Sequence, residues 1–442
     1  MNPFLDIKSL ADIVSGWPLI IYVTGVSFFC TIVLRGIQFR SFVRAIRSIF
    51  GSSKKEESSQ KDMSPIQAFI NTLSSNLGNG SIAGTATAIY AGGPGAAFWI
   101  LIFGLLTMSI RFLEVYASCL YGMKVKVGNL GGPMAYLSDV PGRSFLPFAY
   151  ALLCFLFALV GGNSIQANSI CVGIQATVSI HILIIASILA AFVLYVMCGG
   201  ARRIVLVSEY LVPLKVIIFF GSALIVLGYH WAMIVPAIKL IIQSAFGVKS
   251  IAGALLGITI QRSIQFGMQR SIFETESGLG TAAIFFGSTS AQDTFESGLL
   301  GMMSTFVSSL VCSLVSLCIV TSGVWNSGLT STALTIAAFQ SVFGGYAGFI
   351  ISFLAIIFGM GVIVAYAYIA RSTWAYLTNG RFEAVCIFLY CGAAFLGALG
   401  KVDIVWAISD LITAGMLFIN LYGLLVLLFK LRHQIINRMQ QR

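Results

Sequence analysis

The sequence predicts an all-α, polytopic membrane protein with about eleven transmembrane helices. Three observations carry this. Of 442 residues, 58% are hydrophobic and only 9% are charged. The apolar residues run in long stretches and do not alternate in period two, as the strands of an outer-membrane barrel would. The basic residues gather in every second loop. An ordinary soluble domain carries roughly 25% charged residues. A water-soluble enzyme, a nucleic-acid binder and a disordered chain are therefore poor readings of this composition.

In chain order, the apolar spans fall near 16–35, 65–91, 94–122, 145–171, 179–198, 205–227, 250–287, 297–322, 345–375, 382–400 and 403–430. Two shorter apolar segments, 232–246 and 328–341, read as extramembrane or interfacial helices. The main soluble stretch is 36–63, which contains GSSKKEESSQKD and is expected to be polar and flexible. Before the first span, Asp6, Lys8 and Asp12 do not form the basic n-region of a signal peptide. If 36–63 is cytoplasmic, so are 123–143, 199–204, 288–296, 376–381 and the C-terminus. That side then holds about eighteen of the 26 basic residues, against about four (Lys8, Lys239, Lys249, Lys401) on the other. The expected location is the cell membrane, multi-pass, with the N-terminus outside and the C-terminus cytoplasmic. Topology explains the net charge of +11, and no nucleic-acid partner is needed. The domain reading is 1–63 for an extra first helix and its polar loop, 64–227 and 228–430 for two five-helix halves, and 431–442 for a basic tail.

The nine cysteines sit mostly inside apolar runs, without C-x-x-C pairs, and read as small packing residues. His181, His230 and His433 are scattered. No transition-metal site and no cofactor is predicted.

Two spans are interrupted. The second reads SPIQAFINTLSSNLGNGSIAGTATAIY, with Gly78-Asn79-Gly80-Ser81 too polar and glycine-rich for a lipid-facing helix. The seventh reads QRSIQFGMQRSIFETESGLGTAAIFF, with Glu274, Thr275, Glu276, Ser277, Gly278 and Gly280 in mid-segment. Each break opens the first long helix of a five-span half. Five is odd, so the halves run with opposite topology, and matched interruptions in inverted halves point to a transporter's binding site. At such a break, free N–H groups suit a carboxylate and free carbonyls suit a cation. Glycines that only pack helices closely are the competing explanation.

At these residues the chain resembles the alanine or glycine:cation symporter family. Ser64-Pro65-Ile66-Gln67-Ala68 precedes the first break as in that family, and LGNGSIAGTATAI is similar to its VGTGNIAGVATAI. Gly92 to Trp99 (GGPGAAFW), Arg111 to Val115, Gly131 to Met134, Gln166 to Ser169, Val207-Ser208-Glu209, Ser271-Ile272-Phe273 and Glu276 to Gly280 also fit. The match runs from Ile37 to about Leu424. The resemblance implies a leucine-transporter-type five-plus-five inverted repeat behind one extra N-terminal helix, with sodium-coupled uptake of alanine or glycine. It places the substrate at Gly78, Asn79, Gly80 and Ser81. Backbone N–H groups near Asn79 and Gly80 would hold the carboxylate, and the Gln166 amide would lie near the amino group. Phe273, Glu276 and Gly278 would line the second break, with Phe273 and Gly278 bounding a pocket small enough for alanine, glycine and serine. Either enantiomer of alanine would fit, since one methylene is worth only about 1–3 kcal/mol. Gly278→Val would then exclude alanine before glycine. Arg111 and Glu114, three apart on one helix face, read as a structural pair.

The cation-coupling candidates are Ser74, Leu77, Ser81, Lys215, Met360 and Gly361. Three of them depart from the family. Ser81 stands where the family has an Asn that looks like a sodium ligand. Met360 and Gly361 stand where it has paired threonines of a second sodium site, and neither side chain offers the oxygen that a hard cation needs. Lys215 lies near the middle of the sixth span, and a mid-membrane lysine is a functional hypothesis by default. The Lys215 ammonium would occupy the vacated cation position. It would lose and regain a proton, giving proton-coupled or sodium-independent transport. Snorkelling, or pairing with Glu276 or Asp410, is the competing role.

The leading function is thus a secondary transporter for a small neutral amino acid, driven by Na+ or H+. No G-x-x-x-x-G-K-[ST] loop marks a primary pump, although an ATP-binding partner subunit is compatible with the chain. A channel fits paired broken helices less well. An enzyme would need convergent nucleophile, base or metal groups, and no G-x-S-x-G or His pair is present. A membrane sensor remains the alternative of a different class.

Overall fold

The computed structural model describes residues 3–51, 63–122, 131–175, 179–247, 260–289, 293–400 and 403–440. The chain there is predominantly helical, and among the described residues one isolated β-bridge joins Met63 to Thr289. With few waters to satisfy the backbone in a bilayer, helices that close their own hydrogen bonds are the required solution.

The N-terminal segment forms α1 (Pro3–Ser15) and α2 (Trp17–Val33). The first part of the following stretch, 37–51, is helical despite its place in a polar segment. Ile37–Arg40 is α3, and Phe42–Gly51 is an amphipathic helix, α4, whose Arg44 Nε lies 2.7 Å from Glu296 Oε1. The KKEESSQKD stretch lies outside the described residues. A reciprocal cap between Ser64 and Gln67, with Pro65 in the first turn, starts α5 (Pro65–Asn76). A π-helical turn, Gly80–Gly84, joins it to α6 (Thr85–Gly92). Then come α7 (Gly95–Gly122), the short α8 (Pro133–Leu137) and α9 (Leu146–Leu159). A second π turn, Val160–Ser164, leads into α10 (Ile165–Gln175). They are followed by α11 (Ile182–Cys198), α12 (Gly200–Tyr229) and α13 (Ile234–Phe246).

The second half opens on α14 (Ile260–Thr275) and α15 (Thr281–Gly287), separated by five non-helical residues from Glu276 to Gly280. The first ten residues of the expected seventh span, 250–259, lie outside the described residues. Asp293 caps α16 (Thr294–Thr321) through the N–H groups of Phe295 and Glu296. The chain ends with α17 (Ser331–Phe343), α18 (Ala347–Thr378), α19 (Glu383–Leu399) and α20 (Asp403–Gln440).

Seven helical stretches among the described residues are long and apolar enough to cross a membrane: 7–33, 95–122, 146–175, 200–229, 294–321, 331–378 and 405–440. The other four expected spans differ for physical reasons. The spans at 65–91 and 250–287 are divided into half-helices. α11 and α19 have 17 residues each, about 25 Å at 1.5 Å per residue, against a hydrocarbon core of about 30 Å.

The packing places the breaks centrally. α7 lies against α14, α15 and α16, whereas α18 lies against α9, α10 and α12. α5 touches both groups, through α15 and α16 on one side and α12 and α18 on the other. Outward faces stay apolar: Ile188, Tyr210, Ile217 and Phe388 are all exposed, as lipid contact requires.

Candidate functional site

The first break begins where Leu77 leaves helical geometry, its N–H still donating to Leu73 O. The carbonyls that α5 leaves without helical partners here are met by a cation. Lys215 Nζ donates to Leu77 O at 2.8 Å and to Ser74 O at 3.1 Å. Lys215 is fully buried, and its Nζ lies 5.4 Å from the Phe358 ring centroid. Ser74 Oγ donates to Gly361 O at 2.8 Å. A Cβ on Gly361 would lie 3.0 Å from Lys215 Nζ, so glycine there leaves room for the ammonium. Met360, half-buried beside it, brings a thioether and no oxygen. Ser74, Leu77, Lys215 and Gly361 are thus brought together.

Neither suggested carboxylate is the partner of Lys215. Glu276 accepts from Tyr366 Oη at 2.6 Å and Thr281 Oγ1 at 2.7 Å. Asp410 lies on α20, and the bonds that Lys215 Nζ makes go to the Ser74 and Leu77 carbonyls instead. The ammonium does not snorkel, since no part of the residue reaches the surface.

On the other side of the same break, Asn79 N donates to Gln166 Oε1 at 3.4 Å. The π turn before α10 helps to place Gln166, with Asn163 Nδ2 donating to Tyr390 O at 2.7 Å and Ser164 Oγ to Ala393 O at 2.9 Å. A Cβ on Gly78 would lie 3.5 Å from Gln166 Oε1, and one on Gly359 would lie 2.9 Å from Asn79 Nδ2. Asn79 is 7% exposed. Its side-chain oxygen and nitrogen have no hydrogen-bond partner within the protein. Buried polar atoms are seldom left unpaired, which makes this amide, beside a second amide and two glycines, a candidate for contact with a polar ligand.

The second break is a rigid frame. Arg111 Nη2 and Asn76 Nδ2 both donate to Thr275 O, the latter at 3.1 Å. Asn76 closes α5, so this bond ties one break to the other. Glu114 Oε2 accepts from Gly278 N at 3.0 Å, Asn420 Nδ2 donates to Gly278 O at 2.7 Å, and Tyr150 Oη donates to Leu279 O at 2.7 Å. Arg111 and Glu114 form the pair their spacing suggests, 3.5 Å apart with neither side chain exposed. Glu276, Gly278 and Gly280 all have positive φ (49°, 87° and 94°).

Gly278 is placed differently from the expectation that it bounds a pocket at the breaks. Its missing Cβ points to Leu421 Cδ2 at 2.7 Å and Ile110 Cγ2 at 3.4 Å. The glycine serves the backbone. Gly278→Val is therefore expected to cost stability, about 1–3 kcal/mol for a left-handed β-branched residue, and not to favour glycine over alanine. The melting midpoint of the purified variant and alanine/glycine competition read the two outcomes separately. Phe273 is half-buried on α14, one residue before Glu274.

Four residues next to the breaks escaped the sequence reading as site components: Asn76, Arg270, Glu274 and Tyr366. Arg270 pairs with Glu274, and Ser81 Oγ donates to Glu274. Two ionisable groups four residues apart in an apolar span were the available signal.

One side of the breaks is sealed. All residues from Thr281 to Gly287 are buried, Ser118 Oγ donates to Ala283 O at 2.5 Å, and Met63 pairs with Thr289. On the α6 side, Thr87 and Tyr90 are exposed.

A helical bundle with polar breaks at its centre, sealed from one side, defines a membrane transporter. Residues 5–442 match the sodium:alanine symporter family, and the chain belongs to that family. It is 31% identical over 424 residues to an uncharacterized transporter of Haemophilus influenzae, covering 95% of this chain and 92% of that one. It is 28% identical over 437 residues to the sodium/alanine symporter AgcS of Methanococcus maripaludis, covering 96% and 95%. A probable sodium/glutamine symporter, GlnT of Bacillus subtilis, is 27% identical, covering 92% and 85%. Among solved structures, a mutant manganese transporter of Eremococcus coleocola shares the fold, with a TM-score of 0.50, 12% identity and coverage of 85% and 82%.

Proposed function

We propose that the protein imports a small neutral amino acid, alanine or glycine of either hand where chiral, and that Lys215 stands where a coupling sodium ion would sit. One observation carries the reading: the buried Lys215 ammonium already satisfies the Ser74 and Leu77 carbonyls at the first break. Gly361 and Met360 add no side-chain oxygen to compete for it. Two charge-assisted hydrogen bonds, about 1.5–3 kcal/mol each, hold the ammonium against displacement.

The substrate lies between the two breaks. Its polar ends meet Asn79, the backbone near Gly80 and the Gln166 amide, and Phe273 supplies the apolar wall. The unpaired Asn79 amide supports this placement. Residues 64–227 and 228–430 form the two inverted halves, as the divided helices α5/α6 and α14/α15 at their starts suggest. The sealed side is cytoplasmic, by the distribution of basic residues, which also puts the N-terminus outside and the C-terminus inside the cell.

Purified protein in liposomes tests this. Radiolabelled alanine is expected to accumulate with choline replacing sodium throughout, under an imposed proton gradient, and glycine to compete better than leucine. Strict dependence on sodium sinks the Lys215 assignment. Equilibration without accumulation under either gradient sinks symport.

A further inference from the structure

Arg270 and Glu274 face the first break from α14. Glu274 pairs with Arg270 through one carboxylate oxygen and accepts from Ser81 Oγ with the other. Cys312 Sγ, on α16, lies 3.7 Å from that second oxygen. The side chains of Arg270 and Glu274 are 13% and 4% exposed. The guanidinium lies in space left by Gly80 and Gly84: a Cβ on either would collide with it. Ser81 is the position to which the family resemblance assigns a sodium ligand.

We infer that Arg270, with Glu274 as its counter-ion, is a second built-in cation at the first helix break, so that the protein carries both of its cations as side chains and binds no sodium. The inference rests on the transporter reading and extends it to the other cation position. The chemistry is one of occupancy. A carboxylate and a hydroxyl are the hard oxygen ligands that a sodium ion seeks. Here the carboxylate already pairs with a tethered guanidinium through one oxygen and accepts from the Ser81 hydroxyl with the other, and Gly80 and Gly84 provide the room for the guanidinium. A guanidinium is more weakly hydrated than an ammonium and suits a buried carboxylate. With Lys215 against Ser74 and Leu77, each position holds one positive side-chain group.

Thermal unfolding of the purified protein, with sodium chloride against choline chloride at equal ionic strength, tests this without a transport readout. The wild type is expected to melt at the same temperature in both. Arg270→Met frees Glu274 and Ser81 and is expected to gain sodium-specific stabilisation of about 2–4 °C, as a ligand bound well above its Kd gives. Arg270→Met combined with Glu274→Gln is expected to lose that gain. Sodium-specific stabilisation of the wild type overturns the inference, and so does a folded Arg270→Met that ignores sodium. If Arg270→Met does not fold, the wild-type comparison decides alone. Failure of alanine uptake with no sodium shift would count against the transporter reading and leave this one standing; uptake with a sodium shift would do the reverse.

Discussion

Lys215→Met is expected to lower alanine uptake about a hundredfold or more while the protein still folds. Methionine fills nearly the same volume, so packing against Phe358 survives. What goes is the pair of hydrogen bonds to Ser74 O and Leu77 O, each about 1.5–3 kcal/mol when the donor is charged, with 1.4 kcal/mol equal to a factor of ten. Sodium is not expected to rescue this variant, because Met360 and Gly361 bring no side-chain oxygen to the vacated position. Gly361→Ala gives an independent reading: its Cβ would lie 3.0 Å from Nζ and 3.2 Å from Ser74 Oγ, so it pushes on the ammonium without removing it. A loss in Lys215→Met with a milder loss in Gly361→Ala places the effect at the charge. Undiminished uptake in a folded Lys215→Met would show that the ammonium is only packing.

The second large effect is on stability. Arg111→Met is expected to destabilise the protein by about 3–5 kcal/mol, because it leaves Glu114 as a buried charge without its partner. Both side chains are fully buried, so solvent offers no compensation. The loss also strips Thr275 O of its charged donor. Replacing both residues, Arg111→Met with Glu114→Gln, is expected to recover part of the loss, since the neutral amide still accepts from Gly278 N without a lone charge. Denaturation midpoints of the single and double variants in the same detergent measure this. A double variant no more stable than Arg111→Met would show that the pair's charge balance is not what matters there.

Much of this was legible along the chain. The apolar spans follow from bilayer thickness, and the two polar interruptions follow from the cost of placing Gly-Asn-Gly-Ser or Glu-Thr-Glu-Ser against lipid. The i, i+3 spacing of Arg111 and Glu114 gave their pairing. The small polar candidates at the first break are local in sequence, which is why Gly78 and Asn79 could be chosen from one motif. Other features were not local. The direction of the Gly278 Cβ depends on a backbone with φ of 87° and on Leu421, 143 positions away in the chain. The helical order of 37–51 comes from contact of α4 with α16, which a polar composition conceals.

That this is a helical membrane protein with two broken helices is written in the chain alone, because lipid solvation acts on each segment separately and can be read from each segment separately. The chain also shows that a lysine stands where none would be tolerated without a role. What that lysine touches follows from the packing of the helices alone. Ser74 and Leu77 lie about 140 residues before Lys215, and Gly361 lies slightly further after it, and these meet only when α5, α12 and α18 pack. The same packing sets Arg270 and Glu274 against Ser81 and leaves the Asn79 amide unpaired. Electrostatic partners and vacancies are properties of distance in space, and distance along the chain does not specify them.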